Sequence, residues 1–358
     1  MEGHPDRVRD QRIERVVALQ PPTEILDDLP LTREQAATVV RSRSEIVDIL
    51  RREDDRLLVV VGPCSVHDVE AAVDYANRLA ALAPELSGDL RLAMRVYFEK
   101  PRTTTGWKGM INDPHLDGSG DVNAGLHMAR GLLLEVLSLG LATGSEFLDP
   151  ITPQYISDAV TWAAIGARTT ESQIHRNLAS GLSMPVGFKN GTAGNVGMAV
   201  DAVRAAAAPH AFTGVTLNGT PAILHTRGNE DAHVILRGGR EAANYDAASI
   251  ENTLEALRAA RVPERVVVDA SHDNSGKDPA RQPEVVADLA AQITAGNEAI
   301  VGVMLESFLT AGRQDLEPGR PLVYGQSITD GCMGWETTAL VLDQLAGAVR
   351  ARRAARGR

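Results

Sequence analysis

The chain has 358 residues, 44% of them hydrophobic and 23% charged, a balance that suits one large α/β domain or two smaller ones. Its formal charge of −11 argues against nucleic acid as a partner, because phosphate backbones select a basic face, although a local cationic pocket is compatible with it. Two distant cysteines, Cys64 and Cys332, make no disulfide framework, and no signal-like N-terminus or membrane-length apolar run is present, so a soluble cytoplasmic protein is expected.

Residues 1–30 are polar, contain Pro21-Pro22, and read as an N-terminal arm. Ile13, Val16, Val17 and Leu19 give that arm something to bury, which fits a subunit contact as well as a loosely held terminus. Thr32–Arg52 has helical apolar spacing, with Thr32 placed to cap it. From Leu57 onward, short apolar strands alternate with helices. Strands are predicted over 57–62, 91–98, 144–148, 163–167, 185–188, 233–237, 265–270 and 299–305. Helices are predicted over 68–83, 123–139, 153–162, 171–180, 248–260 and 283–295. Eight such strands with intervening helices point to an α/β (β/α)8 TIM barrel over 31–350. Phe212–Leu217 makes a further strand, expected to form an extra hairpin with 233–237. A helix over 337–349 closes the fold, and 351–358 reads as a solvated basic tail.

Strand after strand runs into a charged or ligand-type side chain, and one end of a parallel barrel is where such an enzyme keeps its chemistry. Cys64, His272, Glu306 and Asp330 each lie at or just beyond a strand end. A thiolate, an imidazole and two carboxylates suit a divalent first-row metal, Mn, Fe, Co or Zn, in preference to Mg or Ca. Singly, each has a bland reading as a core or hydrogen-bonded residue; their convergence at one mouth would not. A second set is cationic: Arg95, Lys100, Arg102, Arg168, Lys189 and Arg237. Guanidinium forks and ammonium groups bind phosphate and carboxylate, so six at one mouth predict a polyanionic substrate, in practice two phosphorylated molecules. Gly118-Ser-Gly120 does not follow a strand and lacks dinucleotide-binding spacing. His127, His175, His225 and His233 read as structural.

Seven ordered motifs carry a resemblance. They are Gly62-Pro-Cys-Ser-Val-His-Asp68, the stretch from Arg95 through Glu-Lys-Pro-Arg-Thr-Thr-Thr to Gly109, Gly166-Ala-Arg-Thr-Thr-Glu-Ser-Gln173, Gly187-Phe-Lys-Asn-Gly-Thr192, Leu236-Arg-Gly-Gly239, Ser271-His-Asp-Asn-Ser275 and Tyr324-Gly-Gln-Ser-Ile-Thr-Asp330. Together they resemble class I 3-deoxy-D-arabino-heptulosonate-7-phosphate (DAHP) synthase, in its short-armed, amino-acid-regulated form, over about residues 12–350. The resemblance implies condensation of phosphoenolpyruvate with erythrose 4-phosphate. It implies Cys64, His272, Glu306 and Asp330 as metal ligands, Arg95, Arg168, Lys189 and Arg237 on phosphoenolpyruvate, and Lys100, Arg102 and Thr103 on the aldehyde substrate. Lys100, with Cys64 and His272, would carry the catalytic roles. It also implies a homodimer or homotetramer with an aromatic amino acid effector held by the arm and the 212–227 region; Gly214 favours tyrosine over phenylalanine. Two positions depart from the pattern: Phe308 stands where His is usual, and Asp273 where a small residue is usual. A sister synthase using arabinose 5-phosphate fits the Lys100-Pro-Arg102-Thr103 stretch poorly. A variant acting on a related aldose phosphate, or a non-catalytic regulatory paralogue, remains as the alternative; the latter should have lost a ligand or phosphate contact, and none is lost.

Overall fold

The computed structural model describes residues 9–102, 104–317 and 319–357, so the first eight residues of the arm and Thr103 lie outside the described residues. Helix α1 (Pro22–Asp28) has Pro22 at its first position, where a missing N–H goes unneeded. In α2 (Arg33–Arg51) the Thr32 hydroxyl accepts from the Gln35 amide while the Gln35 side chain accepts from the Thr32 amide, a capping box. The chain continues through β1 (Leu57–Gly62), α3 (Val69–Leu86), β2 (Leu90–Arg95), α4 (Val122–Ser138), β3 (Ala142–Glu146), α5 (Pro153–Ile156) and β4 (Trp162–Ile165). Next come α6 (Gln173–Ala179), β5 (Val186–Lys189), α7 (Gly197–Ala207), β6 (Ala211–Val215), β7 (Pro221–His225) and β8 (His233–Leu236). The last elements are α8 (Ala247–Ala259), β9 (Val266–Asp269), α9 (Gln282–Thr294), β10 (Ile300–Glu306) and α10 (Trp335–Arg356).

Eight parallel strands close a barrel in the order β1-β10-β9-β8-β5-β4-β3-β2. Their runs of Val, Ile, Leu and Ala are buried on both faces, as strands sandwiched between a barrel interior and an outer helical layer must be. Two apolar clusters result. The larger packs helices against the outside of the barrel. The smaller joins inward side chains such as Val60, Trp162, Ile235 and Met304 to Ile46, Ile49 and Leu50 of α2. Helix α2 therefore plugs the N-terminal end, which leaves the C-terminal end of the strands for chemistry.

Four expectations change. The extra hairpin is real, but β6 pairs with β7 and not with 233–237; β8 is a barrel strand between β5 and β9. An Asn218-Gly219 turn, with Gly219 at φ +73°, sets that pairing. Helices α1 and α7 were not anticipated, although Gly197–Ala207 is rich in alanine, a strong helix former. The 153–162 helix stops at Ile156 and continues as a short 3-10 turn. Finally, the 351–358 tail is helical as far as Arg356: Arg352 is 5% exposed and Arg353 reaches Asp55 (2.8 Å) and Asp89 (2.7 Å), while 354–357 are exposed as expected.

The described part of the arm lies along the barrel's side. Asn123 Oδ1 accepts from the Gln20 amide (3.0 Å), Tyr155 OH donates to Gln20 O (2.6 Å), and the Thr23 amide donates to Leu217 O in the hairpin turn (2.9 Å). Ile13, Val16 and Val17 remain exposed. No helix among the described residues is long and apolar enough to cross a membrane.

Candidate active site

Side chains of a barrel strand alternate between interior and exterior. Ala93, Ala142, Ile235, Val267 and Met304 point inward into the smaller cluster. Gly187 does too, since a Cβ there would meet Ile235 Cδ1 at 2.5 Å. Moving up each strand in steps of two reaches Arg95, Glu146, Lys189, Arg237, Asp269 and Glu306. The last inward layer is thus charged, and it sits on an apolar interior that strengthens every interaction in it.

At its base Arg95 is 1% exposed; it pairs with Glu306 at 2.9 Å and lies over the Tyr97 ring at 3.6 Å. Beside it, ligand atoms of Cys64, Glu306 and Asp330 all fall within 4.8 Å of one another. His272 Nε2 is 3.5 Å from Glu306 Oε1, while its Nδ1 faces Asp269 at 2.8 Å. One ring nitrogen is thereby held by a carboxylate and the other turned to the group, the arrangement that orients a metal-ligating histidine. The donors fit a divalent first-row cation. Local packing brings them together: Gly62 lets β1 approach β2, because a Cβ there would lie 2.7 Å from Arg95 O. The loop bearing Asp330 is fixed by the Ser65–Thr329 hydroxyl bond (2.7 Å) and by the Cys64 amide donating to Cys332 Sγ (3.4 Å). Burial, followed by Glu306, pushes the Cys64 thiol up to about 11. Asp330 is held down at about 2: burial opposes its charge, but Lys100 and His272 outweigh it.

Above the group opens a cavity of about 540 Å³. Lys100, Arg102, Arg168, Lys189 and Arg237 line it with His272 and Asp330. Arg95 lies beneath the wall, so five of the six expected cations face the cavity. Arg240 and Lys277 join them, and Glu146 and Asp273 face them. Two wall cations already meet carboxylates: Lys189 pairs with Asp269 at 2.9 Å and Arg237 pairs with Asp273. The surplus positive charge is smaller than a count of cations implies. Lys100 is 9% exposed, with Nζ 3.0 Å from Cys64 Sγ. A larger hollow of about 800 Å³, lined by Arg51, Glu53 and Glu264, lies at the plugged end, away from the strand-end residues.

The sequence places Asp269 at a strand end but assigns it no role; it is the last inward residue of an otherwise apolar Val266–Asp269 strand. Sequence reading missed Glu99, for which no local signal exists. Glu99 is 2% exposed and accepts from the amides of Leu148 (3.3 Å) and Asp149 (3.1 Å) and from Thr152 Oγ1 (3.3 Å), so it ties the Lys100 loop to the loop after β3. Burial raises its pKa to about 8. His175 is structural as expected, bridging Ser172 Oγ (2.9 Å) and Leu148 O (2.7 Å).

A model of the DAHP synthetase I family matches residues 29–343. The chain is 56% identical to the Phe-sensitive phospho-2-dehydro-3-deoxyheptonate aldolase of Escherichia coli (strain K12), over 96% of this chain and 98% of that one. It is 51% identical to the Tyr-sensitive enzyme of the same organism, over 95% and 96% of the respective chains. A solved structure, the phospho-2-dehydro-3-deoxyheptonate aldolase of Francisella tularensis SCHU S4, superposes with a TM-score of 0.93 at 48% identity, covering 95% of this chain and 99% of that one.

Proposed function

Because the chain belongs to the DAHP synthetase I family, we propose that the cavity above the charged layer is where it joins two phosphorylated substrates. The reaction condenses phosphoenolpyruvate with D-erythrose 4-phosphate to give DAHP and phosphate, the first step of the shikimate pathway to aromatic amino acids. Arg168, Lys189 and Arg237 on the wall, with Arg95 beneath, take the phosphate and carboxylate of phosphoenolpyruvate. Lys100, Arg102 and Thr103 meet erythrose 4-phosphate, the latter two at its phosphate. Holding two mutually repelling anions in attack geometry is mainly a positioning task. Cys64, His272, Glu306 and Asp330 hold a divalent cation, Mn, Fe, Co or Zn, which when bound supplies Lewis-acid polarisation of the aldehyde oxygen.

As the enol carbon of phosphoenolpyruvate attacks the aldehyde, Lys100 gives a proton to the nascent alkoxide. Burial opposes the Lys100 charge, but Cys64 in its ionised form and the carboxylates Asp330 and Glu306 outweigh it and raise the pKa; with the thiol neutral, the two carboxylates keep the proton in place at neutral pH. Water then adds at C2, and phosphate leaves with C–O cleavage. The observation that carries this reading is Lys100 Nζ at 3.0 Å from Cys64 Sγ, a proton donor at the edge of the donor group. The test is DAHP formation from the two phosphates with added Mn. Lys100→Met should lower kcat by roughly 10²–10⁴-fold while phosphoenolpyruvate still binds. Normal turnover in that variant would remove Lys100 from the mechanism.

The reading extends to regulation by an aromatic amino acid bound near the arm and the β6–β7 hairpin, with tyrosine preferred over phenylalanine, in a homodimer or homotetramer. Exposed Ile13, Val16 and Val17 support a subunit contact for the arm. The tyrosine preference rests on Gly214 being the smallest residue at its hairpin position, and it requires Leu224, whose Cδ1 would lie 2.6 Å from a Cβ there, to move aside. Two unpaired, buried cysteines support a reducing, cytoplasmic setting.

A further inference from the structure

We infer that Asp273 is an internal competitor for the anion site of Arg237, occupying the guanidinium that phosphoenolpyruvate takes and so setting how tightly the cavity holds that substrate. The inference rests on the reading of Arg237 as a phosphoenolpyruvate contact. Arg237 and Asp273 both line the cavity, with side chains 7% and 16% exposed, and Arg237 Nη1 donates to Asp273 Oδ2. A carboxylate on a guanidinium fork has the charge and hydrogen-bonding geometry of the substrate's own carboxylate or phosphate.

The loops that carry the two residues are fixed without this pair. Gly238, at φ +79°, allows them to touch: a Cβ there would lie 2.6 Å from Asn274 N and 2.7 Å from Asp273 C. Asn274 Nδ2 donates to Asp269 O (2.8 Å) and Leu236 O (3.2 Å), and its Oδ1 accepts from the Asn244 amide (2.8 Å). Asn244 Oδ1 accepts from the Gly238 amide (2.7 Å), and Asn190 Oδ1 from the Arg237 amide (2.8 Å). Side-chain amides and backbone thus hold both residues in place, and the ion pair is added on top. His272, at φ +53°, puts the chain in a left-handed step immediately before Asp273.

The other two carboxylates paired with cations of this layer differ. Glu306 lies 3.5 Å from His272 Nε2 and Asp269 lies 2.8 Å from its Nδ1, so each also serves the donor group. The Asp273 carboxylate is placed on Arg237. To use Arg237, an incoming anion must separate the pair and return Asp273 to water, and this cost is subtracted from its affinity.

The experiment uses the full-length, Mn-loaded protein with Asp273→Asn and Asp273→Ala. Inorganic phosphate binding is measured by calorimetry at fixed ionic strength, and KM for phosphoenolpyruvate by steady-state kinetics. Both constants should fall about tenfold, the change that 1.4 kcal/mol makes in an equilibrium constant, and kcat should not rise. In an Arg237→Ala background the same substitutions should leave phosphate binding unchanged. A KM and a phosphate Kd that stay the same or rise in both variants, with Mn binding intact, would mean that Asp273 holds Arg237 in its productive pose and would overturn the inference. If wild type makes no DAHP, the proposed reaction fails, whereas the phosphate titration still decides the role of Asp273.

Discussion

Lys100 and Cys64 meet where the cationic wall reaches the donor group, Nζ 3.0 Å from Sγ, with both side chains buried. The contact joins the two halves of the site, because Lys100 faces the cavity while Cys64 lies within 4.8 Å of the Glu306 and Asp330 ligand atoms. The thiol, pushed up to about 11, is protonated at neutral pH in the metal-free chain.

Metal binding takes the thiolate, so it must displace that proton. Mn titration should release about one proton at pH 7–8, and affinity should rise with pH as protons compete less. Calorimetry in buffers of different ionisation enthalpy measures the release, and Cys64→Ala should abolish it. Release unchanged in that variant would exclude Cys64 from the ligand set.

Chelation should stop turnover and added Mn should restore it. His272→Ala should lose both metal and activity, since Nε2 faces the donor group while Asp269 fixes the ring. A variant with normal metal content, read by elemental analysis, counts against His272 as a ligand.

Glu99 should make stability fall as pH rises. Its pKa goes from the ordinary 4.5 to about 8 in the folded state, so between those values the native chain binds more protons than the unfolded one. Stability is full below about pH 4.5 and is lost progressively up to about 8, by at most roughly 1.4 kcal/mol per unit. Glu99→Gln loses acceptor capacity toward Leu148, Asp149 and Thr152 but carries no such penalty. Its Tm relative to wild type should therefore improve from pH 6 to pH 8; a difference independent of pH would contradict the buried acid.

Gly109→Ala should cost more than about 2 kcal/mol and depress kcat. Gly109 has φ +109°, a Cβ there would lie 2.1 Å from Phe98 O, and the Lys100 amide donates to the neighbouring Lys108 O at 2.8 Å. Gly140→Ala, at φ +78° with open space around it, is the control and should cost about 1 kcal/mol without touching kcat. Equal losses in Tm and kcat would show that crowding against Phe98 is not the cause.

Removing residues 1–16, which spares the Gln20 contacts, should relieve inhibition by an aromatic amino acid and leave turnover intact. Dose–response curves with tyrosine, phenylalanine and tryptophan measure this. Inhibition that survives truncation would confine the effector site to the remaining chain.

Sequence alone determined what repeats along the chain. Short apolar runs separated by helices specify a parallel barrel, and residues such as Lys189 and Glu306 end their runs in plain sight because side-chain direction along a strand is a local, period-two property. Tertiary structure decided what depends on partners far away in the chain. Asp269 joins Lys189, eighty positions earlier, to His272 only because β5, β8 and β9 are neighbours in the closed barrel. Glu99 is sequestered by a loop some fifty residues on, Arg95 sinks beneath the wall because Glu306 holds it, and Arg353 is captured by Asp55 and Asp89. Composition and periodicity carry no information about such encounters, since each depends on which strand ends the barrel's closure sets side by side.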